Sequence, residues 1–71
     1  MIEEYSYKEY LIELSYNEYE RNFYGDHIVI RVLVQNGIKS EGWYCGKISF
    51  RTKEDCVEFL KKESEKIVDS L

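Results

Sequence analysis

At Thr52 the chain changes its period. Before it, His27 to Gln35 and Trp43 to Arg51 present two faces by turns, whereas beyond Lys53 apolar residues recur every three or four. The join, Thr52-Lys53-Glu54-Asp55, places a hydroxyl where a helix needs an N-cap acceptor and an acid three residues on, close to a capping box. Gly42 to Leu60 therefore reads as a strand feeding directly into a capped helix. That juxtaposition predicts an α+β domain with its sheet before the helix.

The helix predicted from Lys53 carries Cys56, Leu60, Ile67 and Leu71 on one stripe, widened by Val57 and Val68. Glu58, Lys61, Lys62, Glu65 and Asp69 form the opposite, solvated face. Upstream, His27 to Gln35 is the clearest strand: Ile28, Ile30, Val32 and Val34 share one face, with Val29, Arg31 and Leu33 on the other.

Asn36-Gly37 is a hairpin signal, but a two-residue turn there would set Ile30 opposite Trp43 and Val32 opposite Glu41. It would also put Cys45 and Lys47 on the apolar side. A wider loop centred near Ser40 pairs Ile30 with Phe50, Val32 with Ile48 and Val34 with Gly46. Because a slip of one residue turns over every side chain, the wider loop is the expectation. Tyr44, Ile48 and Phe50 are then core, while Trp43, Cys45, Lys47, Ser49 and Arg51 face outward. Gly46, inside this strand, is expected to mark a bulge or a close packing contact.

The N-terminal third admits two readings. As a strand, Tyr10, Ile12, Leu14 and Tyr16 line one face, with Glu9, Leu11, Glu13 and Ser15 on the other. As a helix, Ser6-Tyr7-Lys8-Glu9 supplies a capping box, but Ile12, Tyr16, Tyr19 and Phe23 then fall opposite Tyr7, Tyr10, Leu11 and Leu14. The strand is preferred over residues 9–17, followed by a long connection over 17–26 that ends at Gly25-Asp26. The expected architecture is one domain over 1–71, a three-stranded antiparallel sheet with one C-terminal helix on one face (βββα). The alternative is αββα, with a helical N-terminal segment.

Seventy-one residues support only a modest core. A charged fraction of 34% beside a hydrophobic fraction of 44% is the balance of a folded domain rather than a disordered one. The net charge of −4 is unevenly spread: residues 1–24 carry six acids against Lys8 and Arg21, whereas residues 25–52 carry Asp26 and Glu41 against Arg31, Lys39, Lys47 and Arg51. The overall acidity weighs against a general nucleic-acid binder. There is no apolar run long enough for a membrane span and no signal-peptide pattern after Met1, so a cytoplasmic protein with reduced thiols is expected.

Residues that could carry reactive chemistry are few. Cys45 and Cys56 form no CxxC and cannot build a zinc site with one histidine unless carboxylates join, so no metal and no cofactor is expected. Cys56 reads as a buried hydrophobe and Cys45 as an outward thiol. His27 follows Asp26, but adjacent strand residues point apart and so do not form an orienting pair. Gly25, Gly37, Gly42 and Gly46 are scattered and make no phosphate loop. A non-enzymatic protein is the expectation.

Two surfaces stand out. Tyr7, Glu9, Glu13, Glu18, Tyr19, Glu20 and Tyr24 interleave phenols with carboxylates. Tyrosine is an interface residue of low entropic cost, and such acids suit a basic groove. The second surface is a set of cations beside an aromatic, Arg31, Trp43, Lys47 and Arg51, in the pattern of a stacking platform for single-stranded nucleic acid; Glu9 and Glu13 on the neighbouring strand would neutralise it. In size, acidity and tyrosine–glutamate composition the chain resembles the small inhibitors carried by phages and other mobile elements, including anti-CRISPR and anti-restriction proteins. The resemblance carries over no residue positions. It implies an inhibitor or regulator of a larger protein or nucleoprotein complex with a basic surface. The alternatives are a nucleic-acid module using the second surface and a homodimeric structural domain.

Overall fold

The computed structural model describes residues 1–34, 37–45 and 48–71. Among the described residues five strands precede one helix: β1 (Ile2–Tyr7), β2 (Tyr10–Tyr19), β3 (Asn22–Val34), β4 (Gly37–Tyr44), β5 (Ser49–Phe50) and α1 (Lys53–Asp69). The sheet runs β1-β2-β3-β4, every neighbour antiparallel, and β5 pairs with the start of β3 through Phe23–Phe50 and Tyr24–Ser49. The α+β class and the C-terminal helix are as predicted, but the N-terminal third holds a hairpin and most of a second one where the sequence predicts one strand and a loop. The αββα alternative is excluded, since residues 10–19 are extended.

Both N-terminal turns are tight. Tyr7 pairs with Tyr10 across Lys8-Glu9, and Tyr19 with Asn22 across Glu20-Arg21. All four turn residues have positive φ, 47° and 70° in the first turn and 49° and 66° in the second. Two successive positive φ values are the requirement of a two-residue hairpin whose twist matches its strands. The segment expected to be a connection, 17–26, is therefore the end of β2, a turn and the start of β3.

One irregularity sets the interior. Leu14 pairs with Ile28, but Tyr16 pairs with Gly25, so Ser15 faces both Asp26 and His27. The Ser15 Oγ accepts from the His27 N–H at 3.1 Å and donates to its carbonyl at 3.2 Å, satisfying main-chain groups that this β-bulge takes out of the ladder. The extra residue brings Gly25 and Ile28 to the same face despite their odd separation. A Cβ on Gly25 would stand 2.9 Å from both the Leu60 Cδ2 and the Cys45 carbonyl oxygen, so hydrogen is the only side chain that fits beneath the helix there.

α1 starts as predicted: the Asp55 N–H donates to the Thr52 Oγ1 at 3.1 Å. It buries Cys56, Val57, Leu60, Ser64 and Val68 against Ile12, Leu14, Tyr16, Ile28 and Ile30. Leu71, expected on this stripe, is exposed. Ser64, fully buried, is satisfied by the Tyr5 hydroxyl at 2.6 Å and by donating to the Lys61 carbonyl at 2.7 Å. Phe50 packs on Phe59 with centroids 5.2 Å apart, joining the core as expected.

β3 and β4 correct the predicted register. Ile28 pairs with Trp43, Ile30 with Glu41 and Val34 with Gly37. Trp43 and Cys45 therefore face the helix side and pack on the edge of the core, not outward. Tyr44 (65% exposed) and Ile48 (47%) are not core residues. The wide loop is preferred in the sequence because a tight one sets charges on the apolar face. That cost does not arise, because the contacts of α1 concentrate on β2, β3 and β5, and Lys39 and Glu41, farther along β4 than Trp43, stay in solvent. Asn36, Gly46 and Lys47 lie outside the described residues.

Candidate partner-binding surface

The seven tyrosine and glutamate positions do not form one patch. Glu18, Tyr19 and Glu20 cluster at the β2–β3 hairpin tip, all exposed, with Tyr19 at 65%. Tyr24 pairs with Asn17 one step down the same hairpin. Glu13 is mid-sheet on the face away from the helix, where its carboxylate takes a hydrogen bond from the Arg31 guanidinium at 3.1 Å. Glu9 is in the β1–β2 turn at the other end of β2. Tyr7 points to the helix side and donates to the Asp69 carboxylate at 3.2 Å.

Several of the remaining tyrosines are structural. Tyr16 is 3% exposed and Tyr10 borders the core. The Tyr5 hydroxyl reaches Ser64, and its pKa is raised, first by burial and then by the nearby Glu65 carboxylate. Sequence alternation found the inward set in β2. It missed that β1 adds Tyr5 and Tyr7 to the same side, because a six-residue strand starting near Met1 gives little periodicity to read.

What is left in solvent is the open sheet face and the hairpin tip. Residues across this face include Ile2, Glu4, Leu11, Glu13, Val29 and Arg31, with Tyr24, His27 and Tyr44 toward the tip. His27 and Tyr44 are register partners with ring centroids 5.4 Å apart. The bulge makes consecutive residues converge, so Asp26 and His27 do pair, Oδ1 to Nδ1 at 3.0 Å, contrary to the alternation expected for a regular strand. Ser15 does not extend this pair into a relay, since its hydroxyl is held by the His27 main chain.

The described members of the second predicted surface, Arg31, Trp43 and Arg51, are not brought together. Arg31 is on the open face but bonded to Glu13, as neutralisation across strands predicts. Trp43 is on the opposite face, where it lines a cleft of about 160 Å³ with Tyr10, Ile30, Val32 and Leu71. Arg51 is exposed in the link to α1, and Lys47 lies outside the described residues. Among the described residues these side chains form no aromatic and cationic platform.

Cys45 is half-buried beside Phe59 and Glu63 rather than an outward thiol. Burial, and then the Glu63 carboxylate, push its pKa up, which lowers its thiolate fraction. Cys56 is fully buried and its pKa is likewise raised by burial. Among the described residues no group of three or more His, Cys, Asp and Glu side chains converges as a metal site, and no helix is long and apolar enough to cross a membrane.

No protein-family model matches the chain, and neither a curated protein nor a solved structure shows significant similarity to it.

Proposed function

We propose that the chain is a small acidic binding protein, not an enzyme, which inhibits or regulates a larger partner through the β2–β3 hairpin tip and the adjoining open sheet face. The observation that carries this reading is the exposed run Glu18-Tyr19-Glu20 at a tight two-residue turn, with Tyr19 on the open face beside Tyr24 and Tyr44 and Glu18 on the helix side. Two carboxylates flanking a solvent-facing phenol offer charge for long-range steering and a flat ring for contact, with little side-chain entropy to lose. A basic groove is the complementary surface. In its most specific form the partner is a nucleic-acid-processing complex, with these carboxylates lying where phosphates would, as in the phage-borne inhibitors the composition resembles.

The test is association under varied salt. A partner isolated on the immobilised chain should be bound more slowly by Glu18→Lys/Glu20→Lys, with the wild-type on-rate falling steeply as ionic strength rises. Nucleic acid should compete with the wild type for that partner. Equal on-rates for wild type and double variant, or a partner indifferent to added nucleic acid, would remove the mimicry reading.

A further inference from the structure

β4 is an open edge, and its free main-chain groups can be assigned. The Cys45 N–H donates to the Asp26 carbonyl at 2.7 Å, and Cys45 and Asp26 continue the register that pairs Tyr44 with His27. Hydrogen-bonded and non-bonded pairs alternate along an antiparallel ladder. Gly37, Lys39, Glu41 and Trp43 therefore direct their N–H and C=O to β3. Ile38, Ser40 and Gly42 direct theirs to the open side.

Side chains alternate out of phase with those groups. Lys39 and Glu41 stand on the helix side, beyond the cover of α1, both exposed and neither in an ion pair among the described residues. We infer that β4 pairs with β4 of a second copy about a two-fold axis at Ser40. In this register Ser40 exchanges both main-chain bonds with Ser40 of the second copy, and Ile38 does so with Gly42. Lys39 then faces Glu41 of the second copy, and Glu41 faces Lys39, in the non-bonded pairs where side chains approach most closely.

The neighbouring registers fail on charge. An axis at Lys39 opposes two lysines, and one at Glu41 opposes two glutamates. Odd shifts are excluded because outward main-chain groups would meet residues whose own are already used. The opposite edge offers no rival, since β1 carries Glu3 and Glu4 and no cation, so it cannot pair charges with itself. The dimer is a single continuous sheet with both helices on one face, and the two Trp43 clefts open toward the groove between them. It closes on itself, as a two-fold interface does, and leaves the hairpin tips free.

Sedimentation velocity over a dilution series tests this. The wild type should reach twice the chain mass. Lys39→Glu and Glu41→Lys should each halve that mass, and the double variant Lys39→Glu/Glu41→Lys should restore it. Ser40→Pro, which removes an outward N–H that β3 does not use, should also be monomeric. Circular dichroism melting confirms that each variant is folded. A wild type that stays monomeric throughout, single reversals that leave the dimer intact, a double exchange that fails to rescue, or open-ended growth would each overturn the assignment.

Discussion

Arg21 and Glu20 turn the chain through a conformation that a Cβ resists. For an L-residue other than glycine the left-handed region costs about 1–2 kcal/mol, and Arg21 sits at φ 66°. Arg21→Gly should therefore raise stability by roughly 1 kcal/mol, offset in part by the freer unfolded chain, seen as a higher denaturant midpoint at unchanged slope. Gly25 is the converse case. Gly25→Ala drives a methyl group to 2.9 Å from a main-chain oxygen and from Leu60, and a loss of about 1–3 kcal/mol is expected from overpacking. Neither turn was legible in the sequence, because Lys8-Glu9 and Glu20-Arg21 contain no glycine or asparagine. The inward set of β2 was legible because Ile12, Leu14 and Tyr16 keep strict alternation.

Among the elements, the β1–β2 turn is tied to the end of α1. The Lys8 Nζ lies 2.6 Å from the Asp69 carboxylate, to which Tyr7 also donates. The hydrogen bond from Lys8 is the first cause that holds Asp69 below the usual carboxylate range, and the bond to Asp69 is likewise the first cause that raises Lys8. A depressed carboxylate adds stability that is present above its unfolded pKa and is lost as pH falls through the folded value. A raised lysine adds stability that is present below its unfolded pKa and is lost as pH rises through the folded one. Wild type and Asp69→Asn should thus melt apart at neutral pH and converge at both extremes. Both side chains are solvated, so the gap is small and should shrink with salt. The helix was the most legible element, as its cap and stripe agree. The β3–β4 register was not, because the sequence does not show that Lys39 and Glu41 remain in solvent on the inner face of β4.

For the whole molecule, sequence reasoning recovered the α+β class and the acidic, tyrosine-rich character of the N-terminal third, but not its layout. Hairpins of opposite direction send Glu9 and Glu18 to opposite ends of β2, and the bulge at Asp26-His27 decides which aromatics go inward. A binding surface built from the tip should be local. Tyr19→Ala should weaken partner binding tenfold or more if the phenol is an anchor, a loss of about 1.4 kcal/mol or greater, while leaving the melting temperature within a degree or two. Glu9→Lys, at the far end, should leave the affinity unchanged. Titration calorimetry with both variants separates a tip-centred contact from one spread along the strand.

Since the contacts of α1 concentrate on β2, β3 and β5, the outer strand β4 is secured chiefly by its ladder to β3 and by Trp43. Peeling it away would uncover much less apolar surface than opening the centre of the sheet. In amide exchange the lone chain should therefore come apart from this side first, with the Lys39 and Glu41 amides trading for deuterium well ahead of those of Ile12 and Leu14. Once a second chain occupies the rim, the same strand becomes interior and that lag should shrink for its central residues.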